Sequence, residues 1–591
     1  MTIKSQAGSV LLSTLSFIIL LSVAAVSLLE MAKGNYMLSL RNEWRSQART
    51  VAESEMEFVY YQFKTKIMTA VPPAQVATAM SAWCELAAAP TNCSLAPTSP
   101  SFVGKYTVGR SISYDPTYDY VYGTMPGTTK LGTIYYVTVH IEVRPDPSSP
   151  FNTLAPYRVG RRFQASNTSI FQYGVFYQGD LEMAPGGNVT ITGDISANGS
   201  IYMGASGGGT LTINKQVRYL ASGYFNQDSS GNTVYRKPGT PTGGALSPPV
   251  FGTSQSSQVE TLASPENLLG GTDATQVATA RSDLFPTEND VYRALIVPPP
   301  GQTTEYPTGA TDDPVISVQR VYNRAGLIVT VNTDNTVTIN TATNGTLGAD
   351  VTSTYGAAIT APVSMYDQRE GKNVSVTNVD VGVLAATIAT ANPGFNGVLY
   401  VNVKGSTSST PGAVRLSNAS TIPSNGSNGF SVATNGGLYV KGNYNTTTPP
   451  LSDGTNPPAM LMGDAITLLS SSWNDANSSA ALSSRVAAAG TTTINAGILT
   501  GNTSATSTTA SGGVQNVVRY LENWNGRYVN LNGSIGRLLE SKSFISPFQQ
   551  PGTVYGIPQT RSFTFDSNLV KHPPPGGPTT TAFSRGAFFT W

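Results

Sequence analysis

The feature that most constrains this chain is an apolar stretch near its start, which runs without interruption from Gly8 to Leu29. No charged residue lies between Lys4 and Glu30. At a rise of ~1.5 Å per residue, a helix of this length spans roughly 33 Å, and the hydrocarbon core of a bilayer is ~30 Å thick. The sequence therefore predicts a retained membrane-spanning helix.

A cleaved secretory signal is the alternative interpretation of this stretch. The apolar part of such a signal usually has only ~7–15 residues and ends at a small-residue cleavage site of the A-x-A kind. Here the stretch is longer, and residues 30–33, Glu-Met-Ala-Lys, follow it without a convincing site. Both differences favour retention.

The residues that follow predict an outward continuation of the same helix. Between Glu30 and Met68 there is no proline, and Gly34 is the only glycine. Pro72-Pro73 is expected to end the helix. Apolar residues recur at spacings of three and four, which place them on one helix face: Trp44, Ala48, Ala52, Met56, Val59, Phe63 and Ile67. The alternative is a single-span anchor followed by a separate helix.

A short basic leader, a glycine, a long apolar helix and an amphipathic continuation follow one another in this chain. This order resembles the N-terminus of a type IV pilin or pseudopilin, and most of all that of a PilX-like minor pilin. Two segments carry the resemblance, Gln6–Leu12 and Gln47–Glu55, within about the first 65 residues. It implies insertion in the inner membrane and assembly with other pilin-like subunits.

The resemblance also implies processing by a prepilin peptidase, which would cut between Gly8 and Ser9. Ser9 would then be the first residue of the mature chain and Ser13 the fifth. Most pilins have glutamate at that fifth position, whereas PilX-like pilins and K-type tip pseudopilins share departures from it. The serine therefore argues against bulk incorporation in a filament shaft and leaves a minor, tip or surface-anchored role open.

Length and composition limit the number of domains, the partners and the fold class of the remaining chain. Its 591 residues are enough for two to four domains. With a net charge of +1 and 12% charged residues, the sequence lacks the excess of Lys and Arg that nucleic-acid-binding proteins usually show, so no nucleic-acid partner is expected. The 58 glycines and 38 prolines indicate many short strands and turns, and 40% hydrophobic residues argue against general disorder. This weakly charged composition fits an extracytoplasmic or cell-surface protein.

The two cysteines, Cys84 and Cys93, lie just past the predicted helix. In an oxidising compartment they are expected to form a disulfide that closes a small loop, and two free buried thiols are the alternative. Without nearby histidines they do not make a zinc site.

Residues 102–165 carry β-strand patterns rich in β-branched and aromatic side chains. The patterned segments are Lys105–Val108, Tyr118–Tyr122, Ile134–Val143 and Tyr157–Ala165. An antiparallel sheet packed on the helix would bury the helix's apolar face, which is also the general pilin architecture.

Two later blocks contain short apolar strands with Gly, Asn and Asp at tight corners, a pattern that favours a right-handed parallel β-helix. The strand-like segments are Gly174–Tyr177, Asn188–Tyr202, Gly437–Asn445, Asp464–Leu469, Ile494–Asn502 and Tyr528–Ser534. A β-sandwich is the alternative. The later block also resembles the tails of large, uncharacterised surface proteins with PilX-like starts, through residues 439–445, 495–502 and 519–524.

Between these blocks, residues 215–390 predict an α/β excursion with a hairpin at 326–339 and a helix at 379–388. We expect the two β-helix blocks to form one continuous body with this excursion largely outside it. The fold class is thus mainly β with a long N-terminal helix. The predicted segments are a leader (1–8), the membrane and amphipathic helix (9–70), a small α+β domain (71–168), the first β-helix part (169–214), an α/β insertion (215–392), the second β-helix part (393–545) and a loop-rich tail (546–591).

The search for catalytic chemistry is mostly negative. The only histidines, His140 and His572, fit a strand and a proline-rich loop, and no metalloprotease, P-loop or EF-hand motif occurs. Asp464, Asp475 and Glu522 are candidate carboxylates for a carbohydrate site. We predict no catalytic residues, no metal and no cofactor.

The leading functional prediction is a structural, pilin-like subunit that presents a large β-rich domain for adhesion, surface display or filament capping. Surface polysaccharide is a further candidate partner. The alternatives are a membrane-anchored β-helix enzyme acting on polysaccharide, and a secretion-system pseudopilin.

Overall fold

The computed structural model describes a long N-terminal helix, an antiparallel sheet against its second half, and a larger body of mostly parallel strands. The described residues are 6–68, 106–114, 121–124, 131–149, 151–240, 244–262, 292–306, 309–312, 314–407, 409–423, 429–549 and 551–590. Cys84 and Cys93 lie outside these residues, so their disulfide stays a prediction. The leader up to residue 5 and Pro72-Pro73 also lie outside them.

Helix α1 runs from Gln6 to Met68 as one element. It joins the apolar stretch to the amphipathic segment, as the absence of proline predicts. The alternative of two separate helices is therefore wrong.

The strands of the described residues are numbered in chain order. Strands β1 to β16 are Tyr106–Tyr114, Val121–Thr124, Leu131–Pro145, Tyr157–Ser169, Val175–Tyr177, Leu181–Met183, Val189–Ile191, Ile195–Ala197, Ile201–Met203, Leu211–Ile213, Val217–Leu220, Val250–Phe251, Val259–Leu262, Leu327–Val331, Val337–Thr343 and Thr346–Asp350. Strands β17 to β31 are Ile359–Asp367, Lys372–Asp380, Val398–Val403, Gly412–Ser417, Phe430–Thr434, Gly437–Lys441, Ala459–Gly463, Ala465–Leu469, Thr491–Asn495, Gly497–Asn502, Val518–Tyr520, Tyr528–Gly533, Ile535–Glu540, Thr560–Phe565 and Thr579–Phe589.

Helices other than α1 are short in the described residues. The α-helices are Gln255–Gln258, Pro314–Ser317, Val321–Arg324, Thr352–Tyr355, Val381–Ala391 and Asn568–Lys571. The 3-10 helices are Ile170–Gln172, Gly356–Ala358, Asp475–Asn477, Leu482–Ser484 and Gly513–Asn516. The helix at 381–391 confirms the prediction for 379–388, and its N-terminus is capped by Asp380, which accepts a hydrogen bond from the Val383 N–H.

The antiparallel sheet has the order β1-β3-β4-β31, and β2 also pairs with β3. Strands β1 to β4 confirm the strand patterns of residues 102–165. The last strand does not come from this region, because β31 is formed by residues 579–589 and lies antiparallel to β4. The prediction of a loop-rich tail from 546 to 591 is therefore wrong. We call this sheet together with the second half of α1 the stem.

The remaining strands form the body, in which most neighbouring strands run parallel. A sheet of twelve described strands has the order β13-β11-β8-β5-β29-β26-β23-β21-β19-β14-β15-β16, and only the pairs made by β15 and β16 are antiparallel. A six-stranded sheet has the order β17-β18-β20-β22-β24-β27. Two three-stranded parallel sheets, β12-β10-β7 and β25-β28-β30, and the pair β6-β9 complete it. Parallel pairing differs from the antiparallel β-sandwich that was the alternative.

The order of the largest sheet shows how the chain travels through the body. It enters at β5 in the middle of the sheet and moves outward through β8 and β11 to β13. The chain resumes at the opposite side with β14 and returns through β19, β21, β23 and β26 to β29. Strand β29 then pairs with β5, where the chain entered. The body is thus inserted between β4 and β31, two adjacent strands of the stem.

The two predicted blocks share one hydrophobic core, as expected. Ile191 and Ile195 from the first block belong to the same buried cluster as Leu438, Ile494 and Ile498 from the second. The expectation that residues 215–390 lie largely outside the body is wrong. Strands β11, β13, β14 and β18, all from this region, lie within the two large sheets, because their apolar residues pair with and extend the same stacks.

A ladder of asparagines supports the stacking at one corner of the body. The Asn495 side-chain amide donates to the Asn445 carbonyl at 2.9 Å, and the Asn532 amide donates to the Asn495 side-chain oxygen at 2.8 Å. Each asparagine thereby pairs with a polar group of its neighbour in the stack. Polar groups that are buried at a corner require such partners.

Candidate functional site

The first half of α1 exposes a long run of apolar side chains. The large apolar side chains from Val10 to Leu29 are more than half exposed, and Leu11 and Leu29 reach 74%. Within the described residues this is the helix that is long and apolar enough to cross a membrane. A soluble helix buries such residues, so this surface needs an apolar partner outside the chain.

The second half of α1 is docked on the sheet. Trp44, Ala48, Ala52, Met56, Val59 and Phe63 are at most 4% exposed and share a core with inward residues of β1, β3 and β4. These are six of the seven residues whose spacing predicted the face, and the side chain of Ile67 lies outside the described residues. The amphipathic prediction is confirmed.

Polar contacts fix the position of α1 on the sheet. The Trp44 indole N–H donates to the Ala155 carbonyl at 3.0 Å. Arg110 on β1 forms a buried ion pair with Glu55 of the helix. A buried charge is tolerated only when it is paired, so this contact specifies the register of helix against sheet.

Strand β31 completes the helix-binding surface from the far end of the chain. Phe583 packs edge-on against Phe63 with 5.8 Å between ring centroids. Glu57 of the helix pairs with Arg161 of β4 and with Arg585 of β31. Sequence reasoning missed this strand, although the β-branched and aromatic residues of 579–589 were a usable signal.

The predicted processing residues lie at the start of α1. Gly8 and Ser9 are helical, and the Ser13 hydroxyl donates to the Val10 carbonyl at 3.0 Å within the same helix. Ser13 therefore satisfies its own hydroxyl and places no charge in the apolar stretch.

The three candidate carboxylates of a carbohydrate site have separate, internal roles. Asp464 is fully buried and accepts from Arg293 Nη1 at 2.6 Å. Asp475 pairs with Arg415, and Glu522 accepts from the Ser470 hydroxyl at 2.7 Å. Burial raises the pKa of Glu522. Asp464 is closed off from any external ligand, so these residues do not form the sugar site considered above.

The two histidines lie in different surroundings. His140 lies on β3 with its ring edge-on to Phe589 at 5.8 Å, and burial lowers its pKa. His572 Nε2 lies 2.8 Å from an Asp453 carboxylate oxygen, which Lys571 also contacts at 3.0 Å. Among the described residues no group of three or more His, Cys, Asp or Glu side chains is arranged to hold a metal.

No protein-family model matches the chain, and no curated protein matches it. Among solved structures, the chain is similar to the crystal structure of the competence-associated pilin ComZ from Thermus thermophilus. The two are 10% identical with a TM-score of 0.26, and the match covers 92% of this chain and 97% of that chain.

Proposed function

We propose that this protein is a pilin-like subunit of the PilX-like minor type. The first half of α1 anchors it in the inner membrane or in an assembly of similar helices, and the stem carries the body outside the cell. The body, which we interpret as a right-handed parallel β-helix with strand excursions, serves adhesion, surface display or filament capping. The role is structural rather than catalytic.

The observation that carries this proposal is the division of α1 into two halves. One continuous helix is exposed and apolar from Val10 to Leu29, and its apolar face from Trp44 to Phe63 is buried against a sheet. A secretory signal has no need of a helical continuation docked on the mature domain. A subunit that packs its free helical half among other helices or lipids needs this arrangement.

The mature protein is expected to begin at Ser9. The full chain should be produced in a bacterium with a prepilin peptidase, isolated from the membrane fraction and sequenced from its N-terminus. Replacing Gly8 with phenylalanine is expected to leave the leader attached, because the resemblance places Gly8 directly before the cut and a bulky ring differs most from a residue with no side chain.

A host without the peptidase provides the control, since the wild-type chain should then retain Met1 through Gly8. A mature N-terminus beyond Leu29 in either host identifies a secretory signal and removes the pilin-like proposal.

A further inference from the structure

Two connectors join the stem to the body, and we call them the neck. Residues 170–174 lead from β4 to β5, and residues 566–578 lead from β30 back to β31. A flexible chain of the length of the first connector has a root-mean-square end-to-end distance of about 12 Å. A free neck would let the body move over a comparable range, so contacts at the neck decide whether the body is carried rigidly or on a tether.

Phe171 of the first connector is enclosed by glycines from two other segments. Its ring is fully buried. A Cβ added to Gly497 of β26 would lie 2.2 Å from the ring, and a Cβ added to Gly577 of the second connector would lie 2.7 Å from it. Only glycine permits such close contacts. The ring therefore packs at once on the body and on the other connector.

The second connector is held by Arg324, which ends the short helix Val321–Arg324 of the body. Arg324 Nη1 donates to the carbonyl of Gly576 at 3.1 Å and to that of Gly577 at 2.6 Å. The next strand, β31, begins at Thr579 and completes the surface on which α1 docks. Arg324 thus grips the chain directly before it enters the stem.

The other nitrogens of Arg324 are tied to the body. Nε donates to the Val318 carbonyl at 2.9 Å, and Nη2 donates to the Gln319 side-chain oxygen. Arg324 is 7% exposed, and burial lowers its pKa to about 9, because among the described residues no carboxylate pairs with it. A buried charge without an opposite charge is costly. What this one provides is geometric, since a single planar group joins three segments of the chain.

We propose that Arg324 is a clamp that holds the body at a fixed angle to the stem and to α1. It acts on the second connector directly and on the first through the contact of Phe171 with Gly577. A body held in this way presents the same face to every neighbouring subunit, which filament capping needs and a tethered adhesive domain does not. That consequence rests on the proposed function, whereas the clamp does not.

The test measures the distance between stem and body in the full-length protein in detergent. Spin labels are attached to unnatural amino acids at Thr50 of α1 and Thr491 of β25, both exposed, so that Cys84 and Cys93 stay unchanged. Pulsed electron paramagnetic resonance should give one narrow distance distribution for the wild type. Arg324→Met keeps a long side chain without donors and is expected to broaden the distribution by up to about 12 Å, the range of a free neck.

Arg485→Met is the matched control. Arg485 is also buried, at 3% exposure, and it also donates to backbone carbonyls, those of Ala480, Leu521 and Val554. All of these lie within the body, so the variant should lose stability without a broader distribution. If Arg324→Met does not fold, Arg324→Lys replaces it, since lysine keeps the charge but lacks the planar fork and should broaden the distribution in part.

The clamp is overturned if Arg324→Met keeps the narrow distribution of the wild type, if Arg485→Met broadens it equally, or if the wild type is itself broad. Thermal melting of each variant establishes that the measured chains are folded. A mature N-terminus beyond Leu29 would remove the pilin-like proposal and leave the measured distances unaffected.

Discussion

Replacing Asp464 with alanine is expected to destabilise the body by about 3–5 kcal/mol, the usual cost of removing one partner of a buried ion pair. Asp464 accepts from Arg293 at 2.6 Å and from three successive backbone N–H groups, those of Lys542, Ser543 and Phe544, at 2.8–2.9 Å. Alanine would leave these donors unmatched. Glu305 would still neutralise part of the Arg293 charge. Chemical denaturation of the full-length protein measures the loss.

The dependence of this contribution on pH has a definite sign. Burial by itself would raise the Asp464 pKa, but Arg293 and the backbone donors outweigh it and hold the pKa below its ordinary value. The stabilisation is therefore complete above the ordinary carboxyl pKa and is lost as the pH falls through the lower value of the folded state.

Glu260→Ala is the control for Asp464→Ala. It also removes a carboxylate paired with an arginine, but Glu260 is 45% exposed and its partner Arg218 keeps a second contact with Asp194. Exposed pairs contribute little, so its unfolding curve should nearly match that of the wild type. Equal losses for the two variants would contradict the role assigned to Asp464.

Ending the chain at Pro578 is expected to destabilise the stem while the body stays folded. The truncation removes β31, which pairs with β4 at nine positions. At roughly 0.2–1 kcal/mol for each cross-strand pair, the loss amounts to several kcal/mol. It also removes Phe583 from the helix-binding core and Arg585 from Glu57. Limited proteolysis with mass spectrometry should show new cuts between residues 106 and 169 and none in the body.

Two point variants separate the contribution of packing from that of backbone pairing. Phe583→Ala removes the contact with Phe63 but keeps the strand, so it should have part of the effect. Ser584→Ala changes the neighbouring, exposed residue and should have none. A truncated protein whose stem resists protease as the wild type does would show that β31 is dispensable.

Local pattern predicted α1 and strands β1 to β4 of the stem because the information for them is short-range. The spacing of Trp44, Ala48 and Ala52 identifies the buried face of α1 before any partner is known, since helix periodicity alone places them together. The β-branched run from Ile134 to Val143 likewise predicts β3. The hairpin of β14 and β15 was found for the same reason, as its turn residues lie between two apolar runs.

The order of strands in the body depended on contacts between distant residues. Val175 pairs with Ile535, and no local feature of either strand specifies the other. Parallel strands are joined by long connections, so neighbours in space need not be neighbours in sequence. This is why residues 215–390 were assigned to an excursion although several of their strands extend the same sheets.

The sequence by itself determined the apolar first half of α1, its docked second half, strands β1 to β4 of the stem and the β-rich nature of the body, because each depends on composition and period over a few turns or strands. Only the tertiary structure decided that 579–589 pairs with β4, that Asp464 is internal, and that residues 180–182 meet 503–537 to form a pocket. Those facts depend on which surfaces pack against each other in the folded protein. The chain enters the largest sheet at β5, in its middle, and returns to pair there with β29. Segments more than three hundred residues apart in the sequence therefore lie in contact.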